Sequence, residues 1–245
     1  MTSVFTVSAD LRFGPRIALF PVSLDSKLFR TSIARPALDA IVQDYDHILF
    51  LITDSLQIYN KIWSKKQRSV SAAFAEFDQL RQSYLAERMQ WIARLERQVG
   101  AHSSEWAVRS SYEYMDADFW KVYQRIVTLH CLSRELREDI ERSAVRHVIK
   151  QGQVRASRAT KRLSEAYILE EMALSIRVRV FGRIGSEFYL GEYPRPLIRL
   201  YDASYGIDVS ALAGINTGGL EFNFFTWQRD ADNQGKWRKV SKLQK

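Results

Sequence analysis

Two separate parts of the chain carry side chains that could do chemistry. Ser23 follows an apolar run, Ile17–Val22, typical of a buried strand, and a side chain beyond the carboxyl end of a parallel strand can meet a ligand. Tyr167 and Glu171 are four residues apart in a segment with helical spacing, so they share one helix face. A phenol beside a carboxylate can bind an amine and move protons. The sequence thus offers a hydroxyl nucleophile and an amine-binding pair.

Each group also has an ordinary structural explanation. A tyrosine on an apolar helix face is usually a core residue, and a glutamate at the next turn is usually solvated. A serine followed by Asp25 and Ser26 is typical of a turn or a helix cap. A serine hydrolase is disfavoured, because Ser23 lacks the G-x-S-x-G elbow and an evident histidine partner. Glu170 is three residues from Tyr167, so the spacing alone does not decide which acid is the functional one.

A late pair of tyrosines extends the candidate site. Tyr189 and Tyr193 lie in segment 187–193, which alternates like a strand, so we expect both on one strand face. Tyr193 closes this predicted strand and is followed by Pro194. Either could be the late functional tyrosine; we prefer Tyr193 for its strand-end position.

The elements that must position these residues follow an α/β order. Strand 17–22, helix 34–43 with Pro36 in its first turn, and strand 47–53 predict a parallel βαβ unit. A proline-free middle has helical spacing, and later segments alternate like strands. The predicted helices are 74–99, 119–127, 132–148 and 163–174, and the predicted late strands are 177–181, 187–193 and 220–227. This pattern predicts one α/β domain, 1–228, with a large helical portion and a basic C-terminal tail, 229–245.

Composition excludes several classes of protein. The chain has 245 residues, a net charge of +8 and 46% hydrophobic residues, enough for a sizeable core. Its one cysteine, Cys131, excludes an internal disulfide framework and a cysteine zinc site, and its histidines lack metal-ligand spacing. No membrane-spanning run or signal peptide is evident. We therefore expect a cytoplasmic protein without a metal.

Basic residues are concentrated in a few stretches. Residues 142–162 contain seven Arg and Lys and no acid, and a smaller acid-free stretch spans 55–75. Clustered cations attract polyanions such as nucleic acid, although a solvated helix face is the alternative. No RNA-binding signature supports the polyanion independently.

The motifs in their order identify a resemblance that no single motif carries. The segments FPVSLDSKLF (20–29), AYILEEMA (166–173) and EYP (192–194) resemble the serine motif, the Tyr-x-x-x-Glu helix and the late tyrosine of the tRNA-dependent cyclodipeptide synthases. The order and approximate spacing fit over about residues 15–205. The Tyr-Pro pair, and Ser26 where one subgroup has Asn, resemble the subgroup that lacks that Asn.

The resemblance implies a fold and a reaction. The fold is a single Rossmann-like domain, similar to the catalytic domains of class I tyrosyl- and tryptophanyl-tRNA synthetases. The enzyme needs no ATP or other cofactor, because its substrates arrive activated as aminoacyl-tRNAs. Two aminoacyl groups are joined into a 2,5-diketopiperazine by ping-pong transfer through a seryl ester.

The resemblance also implies roles for individual residues. Ser23 would carry the ester, Glu171 and Tyr167 would hold the amino group, and Tyr193 would assist proton movements, with Ser26 and Tyr189 as substrate-binding residues. Apolar residues near the motifs could line the first pocket, although core packing explains them equally well: Leu19, Val22, Phe50 and Leu174. The residues expected to bind tRNA are Lys61, Lys65, Lys66, Arg68, Arg81, Arg88, Arg142, Arg146, Lys150, Arg155 and Arg158. We expect a monomer; the alternative function is a non-catalytic tRNA- or RNA-binding protein.

Overall fold

The computed structural model describes residues 16–23, 31–53, 105–150, 157–229 and 235–240, together with residues 71, 75, 78, 79, 82, 86, 90 and 93. Most of the helix predicted over 74–99 therefore lies outside the described residues.

Six strands form one sheet. They are β1 (Ile17–Val22), β2 (His47–Ile52), β3 (Glu105–Ser110), β4 (Ser186–Tyr189), β5 (Asn223–Arg229) and β6 (Gly235–Lys239). Their spatial order is β3-β2-β1-β4-β5-β6. All neighbours are parallel except β6, which is antiparallel to β5. Because the strand order reverses at β1, the carboxyl ends of β1 and β4 flank the crevice where such sheets bind ligands.

The described helices are α1 (Thr31–Ile41), α2 (Ala117–Leu132), α3 (Arg134–Lys150), α4 (Arg158–Arg179), α5 (Arg195–Tyr201) and α6 (Val209–Ala213), with a 3-10 turn at Ser111–Tyr114. Local sequence fixes the ends of the long helices. The Asp116 carboxylate accepts the first free N–H groups of α2, and the Ser157 hydroxyl does the same for α4. α4 packs against both α2 and α3.

The core lies on both faces of the sheet, and β1 shows why. Leu19 joins the cluster formed with α2, α3 and α4, whereas Ala18 and Phe20 join the cluster formed with α1. Side chains alternate between the two faces along a strand. Ser23 therefore continues the row of Leu19 and faces α4.

The predicted fold class is confirmed, and β1 and β2 agree with the predicted strands. The helix after β1 begins at Thr31, so Pro36 lies inside it rather than in its first turn. β3 and the short helix α5 were not predicted. β3 mixes charged and apolar residues at the sheet edge, a weak strand signal.

Two predicted late strands are wrong in part. In the predicted strand 177–181, residues 177–179 instead form the end of α4. The alternation of arginine and valine suggested one exposed face, but Arg179 is fully buried, as are Val178 and Val180. β4 ends at Tyr189, so Tyr189 and Tyr193 do not share a strand. At Gly191 a side chain would lie 2.6 Å from the Tyr189 ring, so glycine permits this close approach.

Part of the predicted C-terminal tail belongs to the sheet. Gly235–Lys239 forms β6, and the Trp237 indole donates a hydrogen bond to the carbonyl of Ala37 in α1 at 2.8 Å. Trp237 also contacts the rings of Phe20, Phe188 and Trp227. Trp237 is partly buried against the α1 cluster, whereas its neighbours Lys236 and Arg238 are exposed.

Candidate active site

One cavity lies at the carboxyl ends of β1, β2 and β4, beside α4. Five of the catalytic and substrate-binding residues expected from the sequence line it. The polar lining residues are Ser23, Thr53, Tyr167, Glu171, Ser175, Glu187, Tyr189 and Tyr193, and the apolar ones are Leu19, Pro21, Leu51, Leu174 and Leu197. The fold thus brings together side chains from segments more than 140 residues apart in the chain.

The strand pleat decides which neighbours of Ser23 line the cavity. Leu19 and Leu174 do so, as expected. Val22 and Phe50 do not; they lie in the α1 cluster, because each occupies the alternate position of its strand. The Thr53 hydroxyl and backbone N–H both donate to the carbonyl of Val22, at 3.2 Å and 3.1 Å. These bonds tie the ends of β1 and β2 together beside Ser23.

α4 presents Tyr167 and Glu171 to the cavity. Their separation of one helical turn puts both side chains on the same face. Burial and the nearby Glu171 charge raise the pKa of Tyr167 well above its ordinary value. The His147 ring of α3 lies against the Tyr167 ring, with 5.1 Å between centroids. Tyr167 is therefore a neutral phenol held against α3.

The two adjacent acids of α4 differ in position. Glu171 lines the cavity, and Glu170 is not among the described residues that do. Glu170 is buried, and its charge adds to burial in raising the pKa of Tyr123 on α2. Glu170 therefore faces the helix layer. Burial, followed by the charge of Glu187, raises the pKa of Glu171 to about 8.

A second buried carboxyl in the cavity, Glu187 of β4, was missed by the sequence analysis. Burial raises its pKa to about 7, and Arg179 opposes this increase. The Arg179 Nη1 atom is 3.4 Å from Glu187 Oε2, and neither side chain has appreciable contact with solvent. The available signal was the strand period, because Glu187 is two residues from Tyr189 and shares its face.

The two late tyrosines lie side by side, with ring centroids 5.5 Å apart, and both line the cavity. The Tyr193 hydroxyl donates to the carbonyls of Glu187 (3.2 Å) and Phe225 (3.3 Å), which holds the loop after β4 onto the sheet. Burial raises the pKa of both phenols. Geometry therefore gives either tyrosine access to the cavity.

The residues expected to bind tRNA are only partly described. Arg142 and Arg146 on α3 and Arg158 at the start of α4 are exposed, and Lys150 is the last residue of α3. Arg142 pairs with Asp139 at 2.7 Å, which offsets part of its charge. The remaining residues expected to bind tRNA lie outside the described part of the chain: Lys61, Lys65, Lys66, Arg68, Arg81, Arg88 and Arg155. Ser26, expected to bind substrate, also lies outside it.

The described residues contain no group of three or more His, Cys, Asp or Glu side chains that could hold a metal ion. Within the same part of the chain, no helix is both long enough and apolar enough to span a membrane.

Solved structures share this architecture. A CDPS (cyclodipeptide synthase) from Fluoribacter dumoffii superposes with a TM-score of 0.65 over 92% of this chain and 91% of its own, at 12% identity. The fold is that of the cyclodipeptide synthases. A cyclodipeptide synthase from Candidatus Glomeribacter gigasporarum, solved with Phe-tRNAPhe bound, superposes with a TM-score of 0.58 over 78% of this chain and 83% of its own, at 15% identity. No family model matches the sequence, and no curated protein matches it by sequence.

A third cyclodipeptide synthase structure relates this fold to the synthetases. The Mycobacterium tuberculosis protein superposes with a TM-score of 0.57 over 76% of this chain and 78% of its own, at 16% identity, and its structure is described as related to type I tRNA synthetases. The mostly parallel sheet with a large helical part agrees with the fold expected from the sequence.

Proposed function

We propose that the chain is a cyclodipeptide synthase that joins the amino acids of two aminoacyl-tRNAs into a 2,5-diketopiperazine. The main support is the cavity at the switch point of the sheet, where a serine, a glutamate and tyrosines from separate segments meet. The cyclodipeptide synthase fold adds to this support. The Tyr-Pro subgroup is part of the same proposal.

In the first half-reaction, the Ser23 oxygen attacks the ester carbonyl of the first aminoacyl-tRNA. A seryl ester forms, the bond to the ribose oxygen breaks, and the serine proton leaves on that oxygen. Glu171 and Tyr167 hold the amino group of the bound residue. The site then carries a covalent aminoacyl-enzyme, as ping-pong transfer requires.

In the second half-reaction, the amino group on the seryl ester attacks the carbonyl of the second aminoacyl-tRNA, and the second tRNA leaves. The new terminal amine then attacks the seryl ester, the ring closes, and Ser23 regains its proton. Glu171 accepts the proton from each attacking amine, and Tyr193 assists. ATP is not required, because both aminoacyl esters are already activated.

The same proposal assigns the tRNA surface and the cellular setting. The exposed arginines of α3 and α4 bind the tRNA backbone, together with the basic residues outside the described part of the chain. Aminoacyl-tRNA substrates place the enzyme in the cytoplasm. We propose that it acts as a monomer.

The decisive test is a covalent adduct on Ser23. Purified protein incubated with aminoacyl-tRNAs should gain the mass of one aminoacyl group, detected by intact mass spectrometry. Ser23→Ala should abolish both the adduct and diketopiperazine formation, while the surface variant Ser204→Ala should retain them. Undiminished product from folded Ser23→Ala would contradict the mechanism.

A non-catalytic RNA-binding protein is the second candidate, favoured by the net charge of +8 and the exposed arginines. It predicts salt-dependent binding of tRNA without an adduct. Detection of the Ser23 adduct would exclude this candidate.

A further inference from the structure

One carboxyl in the cavity has no part in the proposed reaction. Glu187 lines the same cavity as Glu171, and its side chain is only 6% exposed. The proton transfers described above require a single acid. A second buried acid is unfavourable unless it interacts with a partner or a ligand.

Arg179 fixes the position of Glu187. Its guanidinium donates to the carbonyls of Ile184, Gly185 and Asn223 at 3.3, 2.6 and 3.0 Å. Three aromatic rings surround the same group, with centroids 4.2–5.3 Å from its central carbon: Tyr201, Phe222 and Phe224. These contacts hold the Arg179 guanidinium in place, and the carboxyl beside it has a defined place in the cavity wall.

The carboxyls retain unfilled acceptors. Arg179 approaches Glu187 Oε2 at ion-pair distance but not in hydrogen-bond geometry, and no other described residue donates to that atom. Glu171 Oε2 likewise has no donor among the described residues. A buried acceptor without a donor is unfavourable. A ligand that fills this cavity is therefore favoured if it brings two donors.

Charge balance defines the second donor. The ammonium group of a bound amino acid is balanced by the Glu171 carboxylate, and Glu187 is balanced by Arg179. If the bound amino acid had a cationic side chain, it would add a buried charge without a partner. An acidic side chain would be repelled by the Glu187 carboxylate. A neutral donor avoids both penalties: a hydroxyl, an amide, an indole or an imidazole.

We propose that Glu187 determines specificity by accepting a hydrogen bond from the side chain of the amino acid esterified to Ser23, so that this amino acid carries a neutral donor group. The inference rests on the proposed function. It defines the substrate class as the aminoacyl-tRNAs of Ser, Thr, Asn, Gln, His, Tyr or Trp.

The wild-type product set tests this directly. Bacteria expressing the full chain should release diketopiperazines whose masses and fragments show at least one of these seven residues in every abundant product. An abundant product built only from residues without a side-chain donor would overturn the inference while supporting the proposed function. So would a product whose only donor is Lys or Arg. Folded protein that makes no diketopiperazine would overturn the proposed function and this inference with it.

Variants test the residue itself. Glu187→Leu keeps a similar volume but removes the acceptor, so the ratio of donor-bearing product to its apolar analogue, such as Tyr to Phe, should fall about tenfold or more. Glu170→Gln, which changes a buried acid outside the cavity, should leave that ratio unchanged. An unchanged ratio in folded Glu187→Leu would contradict the assignment. If Glu187→Leu does not fold, the amino acids found in the wild-type products, as described above, test the inference instead.

Discussion

At the residue scale, two carboxyls, those of Glu171 and Glu187, line the same cavity. Burial, followed by the charge of Glu187, raises the pKa of Glu171 to about 8. Burial raises the pKa of Glu187 to about 7, and Arg179 opposes this increase. An α-amino group has a pKa of about 7.7–8.0. Proton exchange between an amine and Glu171 is therefore nearly balanced, which suits an acid that takes protons from attacking amines.

The two adjacent acids of α4 give a matched pair of variants. Glu171→Gln should lower the rate of diketopiperazine formation about 100-fold or more, because the amide cannot accept a proton. Glu170→Gln should leave the rate within a few-fold, because Glu170 faces the helix layer. Product formation measured at saturating aminoacyl-tRNA tests both. Equal rate losses in the two variants would contradict the assignment of the proton-accepting role to Glu171.

Stability should depend on pH through the same carboxyls. Their folded-state pKa values of about 8 and 7 exceed the ordinary value of 4.5, so the folded state binds more protons. The free energy of unfolding should therefore fall as the pH rises from about 4.5 to 8. Glu171→Gln should make this fall shallower, and Ser23→Ala should not change it. Urea unfolding at a series of pH values measures the slope, and identical slopes in wild type and Glu171→Gln would contradict the prediction.

At the element scale, ion pairs fix the helices that carry the site. Arg177, near the end of α4, pairs with Asp116 at the start of α2, at 2.5 Å. These interactions, with burial opposing them, lower the pKa of Asp116 to about 2. Arg177 also lies over the Phe181 ring, 4.9 Å from its centroid. The register between α2 and α4, and with it the place of the α4 residues, is thereby defined.

Asp139 connects α3 to α5 in a similar way. Its buried carboxylate accepts hydrogen bonds from Arg142 at 2.7 Å, from Tyr205 at 2.8 Å and from Arg199. Burial raises its pKa, but these bonds outweigh that effect and the net shift is downward. Asp139→Asn should lower the free energy of unfolding by about 3 kcal/mol, because buried donors and cations lose their charged partner.

The neighbouring Glu138 provides the control for this prediction. It pairs with Arg134, whose side chain is 86% exposed, and an exposed pair contributes little. Glu138→Gln should change the free energy of unfolding by about 0.5 kcal/mol or less. Urea titration of both variants measures the difference, and comparable losses would show that Asp139 has no special role.

At the scale of the whole molecule, the excess of basic residues should determine how tRNA binding responds to salt. Among the described residues, neither Arg146 nor Arg158 has an ion-pair partner, and both are exposed. If they contact phosphates, the double variant Arg146→Ala with Arg158→Ala should weaken tRNA binding and reduce the slope of log K against log salt by about 1–2. Arg134→Ala, an exposed arginine outside the acid-free stretch, should leave the slope unchanged. Fluorescence anisotropy at a series of salt concentrations measures the slopes. Equal slopes in the wild type, the double variant and Arg134→Ala would show that Arg146 and Arg158 are not part of the tRNA-binding surface.

The sequence by itself determined the local features of this protein. Continuous apolar runs identified β1 and β2. Helical spacing identified α2, α3 and most of α4, because a helix buried on one face has apolar residues every three or four positions. The one-turn separation of Tyr167 and Glu171 also fixed their common face. These properties depend on neighbours within a few residues, so a single sequence contains them.

Tertiary structure decided the features that depend on distant partners. Arg179 resembles an exposed strand residue until the carbonyls and rings around it are known, so the end of α4 was misassigned. β4 ends at Tyr189, and the chain passes close to the Tyr189 ring at Gly191, where a side chain would not fit, so Tyr193 lies outside the strand. β6 pairs with β5 despite its basic sequence, because Trp237 completes an aromatic cluster between α1 and the sheet. Which of Glu170 and Glu171 lines the cavity depends on how α4 packs across the strands, and local spacing does not show this. The presence of Glu187 in the same cavity as Ser23 depends on the pairing of β4 with β1.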